Sequence, residues 1–218
     1  MNETPFAEAI ANADPAVRET FRRAGDAATR AAGRVRRTQF DAVPLLPDAT
    51  VYVGDSITEY GLWNEWFPDS PARNRGVAAE TIADILDRLD SALSGGPVAV
   101  SLLAGTNDVD GPRSSGTADE IACRAEHLVR KIRLNAPDAR LVVTGVLPRT
   151  SAHVDTIHVV NARYRAVCRE VGASYVDLWD ELAKDDGAIR PEYSRDGLHL
   201  TGAGYRVWVA ALSHELVR

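Results

Sequence analysis

The chain has 218 residues, 45% of them apolar and 26% charged, and its 25 basic and 31 acidic residues give a formal net charge of -6. This composition is typical of a globular protein of one domain with a short appendage, and the acidic balance argues against a nucleic-acid-binding domain. No apolar run approaches the roughly 20 residues needed to cross a bilayer, and the first residues lack the pattern of a signal peptide. We therefore expect a cytoplasmic protein without a membrane span.

Residues 1–40 are rich in alanine and arginine and contain few turn-forming residues. This pattern predicts an N-terminal extension of one or two amphipathic helices, followed by a main domain at 41–218. The extension is locally basic, and a solvated helical face packed on the main domain is the simplest explanation. A homodimer contact and a contact with an anionic surface are the alternatives.

The main domain alternates between two kinds of segment. Short apolar, β-branched runs lie at residues 51–53, 98–103, 141–146 and 175–176. Segments of helical periodicity lie at 81–93, 118–134, 159–171 and 203–216. This alternation predicts an α/β fold with a parallel sheet, and strands that are apolar throughout are expected where helices cover both faces.

A serine lies shortly after the first strand of this sheet, where a helix is expected to begin. Ligands of such sheets bind beyond the carboxyl ends of the strands, so Gly54-Asp55-Ser56 falls at the expected place. Ser56 also opens a helix, whose N-terminus favours developing negative charge. Ser56 is therefore a candidate nucleophile, although a simple helix cap is the alternative for this residue alone.

A serine nucleophile needs a base, a group that orients the base, and donors for the oxyanion. His199 lies in a loop, and Asp196 three residues earlier could hold one imidazole nitrogen while the other faces Ser56. Asn107 in GTND and Gly76 in NRG are candidate oxyanion donors, since glycine lets its N–H approach a substrate closely. The other histidines fall in or near helical segments: His127, His153, His158 and His214.

Together, the blocks GDSIT, NRG, GTND and DGLHL resemble the SGNH or GDSL hydrolase family in content and in order. One departure is Ile57, where the family's name has leucine. The resemblance implies a three-layer α/β/α flavodoxin-like sandwich with a five-stranded parallel sheet, and ester hydrolysis without a metal or cofactor. It also implies Ser56 as nucleophile, His199 as base and Asp196 as its orienter. The Ser56 N–H, the Gly76 N–H and the Asn107 side chain would then bind the oxyanion.

Four further residues are candidates for contact with the substrate. Asp55 and Asp108 flank the predicted catalytic positions, although hydrogen bonds that fix the loops are the simpler explanation for both. Trp63 could line an acyl pocket or pack in the core. Arg149, on a loop at the active end, could meet a carboxylate or phosphate of the substrate.

The sequence therefore predicts a serine esterase that acts on a small-molecule ester with an acetyl or short acyl group. The alternatives are an acyltransferase that uses the same triad with an alcohol or sugar, a lysophospholipase or thioesterase, and a non-catalytic binding domain. If His199 is the base, kcat/KM should rise with pH through the ordinary histidine range, near a pKa of about 6.5.

Overall fold

The computed structural model describes residues 12–43, 45–46, 48–111, 114 and 116–216. Its sheet contains the strands β1 (Thr50–Gly54), β2 (Ala72–Gly76), β3 (Ala99–Leu103), β4 (Arg140–Thr144) and β5 (Ser174–Val176). All neighbouring strands are parallel, and the order is β2-β1-β3-β4-β5. This is the doubly wound flavodoxin-like order, so the predicted fold class is confirmed.

Helices of very different length connect and cover the strands. Those in the described part of the chain are α1 (Pro15–Ala42), α2 (Ser56–Glu59), α3 (Trp63–Trp66), α4 (Ile82–Asp87), α5 (Leu89–Leu93), α6 (Thr106–Val109), α7 (Ala118–Asn135), α8 (Val154–Val171), α9 (Trp179–Leu182) and α10 (Gly202–Leu216). The segment predicted as one helix at 81–93 is two helices, because Arg88 leaves the helical conformation with φ -116° and ψ 8°. Among these described helices, none has the length and apolar character that a membrane crossing requires.

Helices pack on both faces of the sheet and create two apolar cores. Successive strand residues point to opposite faces, so Val51 and Val53 of β1 lie in one core and Tyr52 lies in the other. The first core is completed by α4, α5, α7 and α8, and the second by α3 and α10. Burial on both faces explains why the central strands β1, β3 and β4 are mostly apolar.

The edge strand β2 has the polar sequence ARNRG, which the apolar pattern of the other strands does not resemble. It pairs with β1 so that Gly76 lies beside Gly54 at the carboxyl end of the sheet. A Cβ atom on Gly76 would lie 2.2 Å from the backbone nitrogen of Glu59. Glycine is therefore required at position 76, because α2 packs directly against the end of β2.

The N-terminal extension was predicted at residues 1–40, of which residues 1–11 lie outside the described residues. The described part forms the single helix α1, whose first turn is capped by the Asp14 side chain. Near its C-terminal end, Phe40 is 5% exposed and lies under the guanidinium groups of Arg36, Arg75 and Arg88, at 4.7–5.7 Å from the ring centroid. These contacts anchor α1 beside β2.

Candidate active site

Ser56 is the first residue of α2, two positions after the end of β1, and is 4% exposed. Asp55 caps this one-turn helix, since its Oδ1 accepts the N–H of Ile57 at 3.0 Å. The carbonyl groups of so short a helix need partners from elsewhere. Trp63 donates its Nε1–H to the carbonyl of Thr58 at 2.9 Å, and Tyr205 donates its hydroxyl to that of Ile57 at 2.6 Å. Buried side chains thus fix the segment that carries the serine.

The structure brings His199 and Asp196 to Ser56 in one line of hydrogen bonds. The Nε2 of His199 lies 3.0 Å from the Oγ of Ser56, and its Nδ1 lies 2.6 Å from the Oδ2 of Asp196. A carboxylate beside Nδ1 favours the tautomer that carries its proton there, which leaves Nε2 free to accept the proton of the serine hydroxyl. This arrangement can activate a hydroxyl for attack on a carbonyl carbon.

The Asp196 carboxylate is kept ionised by its own loop. Its Oδ1 accepts the backbone N–H groups of Leu198 at 2.9 Å and His199 at 2.8 Å. Partial burial opposes ionisation, but these bonds and the bond from the His199 side chain outweigh it and lower the pKa of Asp196 to about 2. The side chains of His199 and Asp196 are 32% and 53% exposed, so solvent water reaches the base.

The expectation that the Gly76 N–H binds an oxyanion is corrected by the structure. Gly76 lies within β2, and its N–H donates to the Oδ1 of Asn74 at 2.9 Å. This N–H is therefore already engaged within the protein, and the glycine serves the close packing of α2 on β2. By contrast, the Ser56 N–H is in the first turn of α2, where a backbone N–H has no partner inside its own helix.

The turn after β2, residues 77–80, offers a donor that sequence reasoning missed. Ala79 has φ 62°, a conformation that residues with a Cβ rarely adopt, and its N–H donates to no acceptor within the described part of the chain. Its neighbours tie the turn to the site: the Ala78 N–H donates to Glu59 Oε2 at 2.6 Å, and the Glu80 carbonyl accepts Asn107 Nδ2 at 2.9 Å. Alanine does not suggest a positive φ, so no sequence pattern pointed to this residue.

Comparison with known proteins decides the family. The sequence model of the GDSL-like Lipase/Acylhydrolase family matches residues 52–207. The chain is 30% identical over 182 residues to platelet-activating factor acetylhydrolase IB subunit alpha2 of Rattus norvegicus and of Homo sapiens, with 78% of this chain and 76% of each relative covered. The chain belongs to the GDSL-like lipase/acylhydrolase family. It is an enzyme of the hydrolase class.

The fold is also that of solved GDSL structures. A GDSL-like lipase from Bacteroides thetaiotaomicron superposes with a TM-score of 0.67 at 22% identity, over 85% of this chain and 97% of that one. The lipase/acylhydrolase from Enterococcus faecalis gives a TM-score of 0.64 at 19% identity, over 77% and 94% of the two chains. At these identities the likeness concerns the fold alone.

Two acidic residues that were expected to contact the substrate of this GDSL hydrolase are buried instead. Asp55 is fully buried, and burial together with the nearby Asp108 and Glu80 carboxylates raises its pKa to about 7, against the opposing Ile57 hydrogen bond. Asp108 is 3% exposed, accepts the Ile82 N–H at 2.8 Å, and has its pKa raised by burial. Both expectations of substrate contact are corrected, because neither carboxylate faces solvent.

Trp63 and Arg149 likewise have structural partners. Trp63 is 2% exposed and stacks on Tyr52 with ring centroids 4.1 Å apart, so it packs in the core rather than lining an acyl pocket. Arg149 donates to the backbone carbonyls of Thr106 at 2.8 Å and Asp110 at 2.7 Å. The arginine thus fastens both ends of α6, which carries Asn107, and substrate binding by this arginine stays a prediction.

The aromatic residue that does lie at the site of this hydrolase is Tyr60. Its ring centroid lies 5.2 Å from that of His199, and the residue is 53% exposed. Leu62 is nearby in sequence and 58% exposed. A solvent-exposed aromatic ring beside the base is suited to contact a bound ester. No group of three or more His, Cys, Asp or Glu residues with metal-binding geometry occurs in the described ranges of the chain.

Proposed function

We propose that this GDSL hydrolase is a serine esterase that cleaves carboxylic esters of short acyl groups through an acyl-enzyme. The observation that carries the proposal is the continuous series of hydrogen bonds from Ser56 Oγ through His199 to Asp196. A serine hydroxyl is a weak nucleophile by itself, and an imidazole at 3.0 Å is within the distance at which a base can accept its proton.

In the first half of the reaction, His199 Nε2 takes the proton from Ser56 Oγ while Oγ bonds to the carbonyl carbon. The imidazolium then gives this proton to the departing alcohol oxygen, and the ester bond breaks to leave an acyl-Ser56. In the second half, a water molecule gives a proton to His199 Nε2 and its oxygen bonds to the acyl carbon. The bond between this carbon and Ser56 Oγ then breaks, and the imidazolium returns the proton to Oγ, which releases the acid and restores the serine hydroxyl. Asp196 stabilises the imidazolium in both halves, and its lowered pKa keeps it ionised throughout.

We assign the oxyanion donors to the N–H groups of Ser56 and Ala79 and to the side chain of Asn107. An amide nitrogen carries two protons, so Asn107 Nδ2 can donate one to the Glu80 carbonyl and one to the oxyanion. The Ser56 N–H adds the positive end of α2. Donors held in place before the reaction are worth about 3 to 4 kcal/mol each in the transition state.

Two observations support a short acyl group. The relatives at 30% identity are named as acetylhydrolases, and acetyl is the shortest acyl group that esters commonly carry. The large aromatic side chains after Ser56 that could have formed a deep acyl pocket, Trp63 and Phe67, belong to the core. Tyr60, beside His199, then remains as an exposed aromatic surface for the substrate.

The exposure of the base supports hydrolysis rather than acyl transfer. An acyltransferase with the same three residues must keep water from the acyl-enzyme, whereas the His199 side chain is 32% exposed here. Solvent water therefore competes with any alcohol or sugar acceptor. We propose hydrolysis as the main outcome and acyl transfer as the alternative to test.

The test is the hydrolysis of p-nitrophenyl esters from acetate to palmitate, by the wild type, Ser56→Ala and the control Ser94→Ala. Ser94 is an exposed serine after α5, so its replacement should leave turnover unchanged. We expect activity with acetate that falls with chain length and is absent in Ser56→Ala. A preference for long chains would contradict the short acyl pocket, and activity retained by Ser56→Ala would contradict the mechanism. Added ethanol or glucose distinguishes transfer, because ester products would replace the free acid.

A further inference from the structure

We propose that α1 is a positioning element of the active site, in which Arg36 and Arg37 hold the 77–80 turn so that the Ala79 N–H meets the oxyanion. This inference rests on the proposed esterase function and extends it to a helix that precedes the matched segment 52–207. Arg36 and Arg37 are consecutive residues near the C-terminal end of α1, and they contact opposite ends of the turn.

Arg36 fastens the entry to the turn. Its Nε donates to the Gly76 carbonyl at 2.7 Å and lies 3.6 Å from the Oε1 of Glu59. The other oxygen of Glu59 accepts the Ala78 N–H at 2.6 Å. Glu59 is the last residue of α2, which Ser56 begins. Glu59 therefore joins the serine helix to the residue that directly precedes Ala79, and Arg36 holds both Glu59 and the start of the turn.

Arg37 fastens the exit from the turn. Its Nε donates to the Oε1 of Glu80 at 2.5 Å, and its Nη2 donates to the carbonyl of Asp84 at 3.2 Å. Glu80 is 4% exposed, and its Oε2 accepts Arg88 Nε at 2.6 Å. The Glu80 backbone carbonyl is also the partner of Asn107 Nδ2. Arg37 thus holds Glu80, which follows Ala79 and whose carbonyl orients the Asn107 amide.

The turn needs such external contacts because of its own conformation. Ala79 at φ 62° is disfavoured for a residue with a Cβ, so an unsupported turn would relax toward a different backbone geometry. Helix α1 also limits the space into which the turn could relax. Gly33 of α1 is buried, and a Cβ atom there would lie 2.9 Å from the Cγ1 of Val77.

Without these contacts, we expect the enzyme to stabilise the transition state less well. An oxyanion donor acts most strongly on the charge that develops during attack, so a displaced Ala79 N–H lowers kcat while KM changes little. The described contacts of Arg36 and Arg37 include neither His199 nor Asp196. The pH at which kcat/KM rises should therefore stay where it is in the wild type.

The experiment measures kcat, KM and the pH profile on p-nitrophenyl acetate for Arg36→Ala, Arg37→Ala, Arg37→Lys and the control Arg23→Ala. Arg23 is an exposed arginine of α1 that pairs with Glu19 of the same helix, away from the turn. We expect kcat to fall about 10- to 100-fold in the first two variants with KM within about threefold, as for a small displacement of a catalytic group. Arg37→Lys, which keeps a positive charge for Glu80, should recover part of the loss, and Arg23→Ala should match the wild type.

Wild-type turnover that depends on Ser56 is established first, so a failure of the proposed function is separate from a failure of this inference. Wild-type kcat in folded Arg36→Ala and Arg37→Ala would overturn the inference, as would a rise in KM alone or a shifted pH midpoint. If Arg37→Ala does not fold, Arg37→Gln replaces it. Equal kcat for Arg37→Gln and Arg37→Lys would then overturn the proposal, whereas a lower kcat for the glutamine variant would support it.

Discussion

The Nε2 of His199 lies 3.0 Å from the hydroxyl oxygen of Ser56, although 143 residues separate the two in sequence. A contact between two helices accounts for this meeting. Ser56 begins α2 after the interior strand β1, and Tyr205 of α10, the helix that follows the His199 loop, donates its hydroxyl to the carbonyl of Ile57 in α2. The helix that begins with the serine and the helix that follows the loop of its base are thus joined by a hydrogen bond.

Replacing Asp196 by asparagine should lower kcat by roughly 10⁴-fold with the fold retained. The asparagine Oδ1 can still accept the N–H groups of Leu198 and His199, so the loop stays in place. Its NH₂ group, however, faces His199 Nδ1 and favours the tautomer with the proton on Nε2, which cannot accept the Ser56 proton. Steady-state turnover of p-nitrophenyl acetate measures the effect.

The matched control for this variant is Asp186→Asn. Asp186 makes a similar local contact, because its Oδ1 accepts the N–H of Ala188 two residues later at 3.0 Å, but it lies in a different loop. This variant should keep wild-type turnover. A decrease of less than about tenfold in Asp196→Asn would show that Asp196 does not set the tautomer of the base.

Replacing Asn107 by alanine should lower kcat about 10²- to 10³-fold with little change in KM, because an oxyanion donor is removed. The side chain is 7% exposed and bonds to the Glu80 carbonyl, so a small loss of stability is also expected. Asn135→Ala controls for the loss of an amide hydrogen bond elsewhere, since Asn135 Nδ2 bonds only to Asp90 at 2.7 Å in the described chain. Equal kcat in both variants would exclude Asn107 from the oxyanion site.

The fold and the residues of the candidate triad could be inferred from the sequence for a physical reason. The runs at residues 51–53, 98–103 and 141–146 are mostly apolar because helices cover both faces of their strands, and this pattern is visible without coordinates. Ser56, Asp196 and His199, which the structure brings within hydrogen-bond distance, could be proposed together because their types and spacing reflect chemical demands on individual side chains. A strand such as β2, at the edge of the sheet and with the sequence ARNRG, has no such pattern, so no apolar run predicted it.

The oxyanion donors and the side chains near the substrate could not be predicted from the sequence, because backbone geometry and burial determine which residues they are. Gly76 matched the expected chemistry of a glycine, but its N–H is occupied by Asn74, while the conformation that frees an N–H occurs at Ala79. Trp63 and Tyr60 are both aromatic residues shortly after Ser56. Only the packing of Trp63 on Tyr52 determines that Tyr60 is the one left at the surface beside His199.

Replacing Ala79 by glycine should stabilise the protein by roughly 0.5–1 kcal/mol and preserve activity, because glycine removes the steric cost of φ 62° and keeps the N–H. This steric cost exceeds the entropy that glycine loses on folding. Ala78→Gly is the control, since Ala78 does not have a positive φ and should lose stability instead. Urea unfolding of the two variants gives the comparison. A destabilised Ala79→Gly variant would mean that the methyl group contributes packing that outweighs the strain.

The two aromatic residues after Ser56 should respond to mutation in opposite ways. Trp63→Ala should cost about 3–5 kcal/mol of stability, because the ring is 2% exposed and stacks in the core. Tyr60→Ala should change stability by less than about 1 kcal/mol, since the residue is 53% exposed, but should change KM and the acyl-chain profile. Thermal unfolding and the ester series test both expectations. An unchanged chain-length profile in Tyr60→Ala would remove Tyr60 from the substrate site.

Replacing Asp55 by asparagine should flatten the pH dependence of stability. The pKa of Asp55 is raised by burial from 3.8 to about 7, so between these values the folded protein holds a proton that the unfolded chain has lost. Stability therefore falls as pH rises from about 4 to about 7 and is constant above that range as far as Asp55 is concerned. The difference between 3.8 and about 7 corresponds to about 4 kcal/mol, which Asp55→Asn should recover at pH 8 and not at pH 4.

Urea unfolding of wild type and Asp55→Asn at several pH values between 4 and 8 measures this difference. Glu80 and Asp108, whose pKa values are also raised by burial, remain in both proteins, so the difference between the two curves reports Asp55 together with its repulsion of these two carboxylates. The amide oxygen of the substituted side chain can still accept the Ile57 N–H that caps α2, so the serine should keep its position. The exposed Asp138→Asn variant controls for the loss of a surface charge. Parallel curves for wild type and Asp55→Asn would mean that Asp55 is ionised in the folded protein across the whole range.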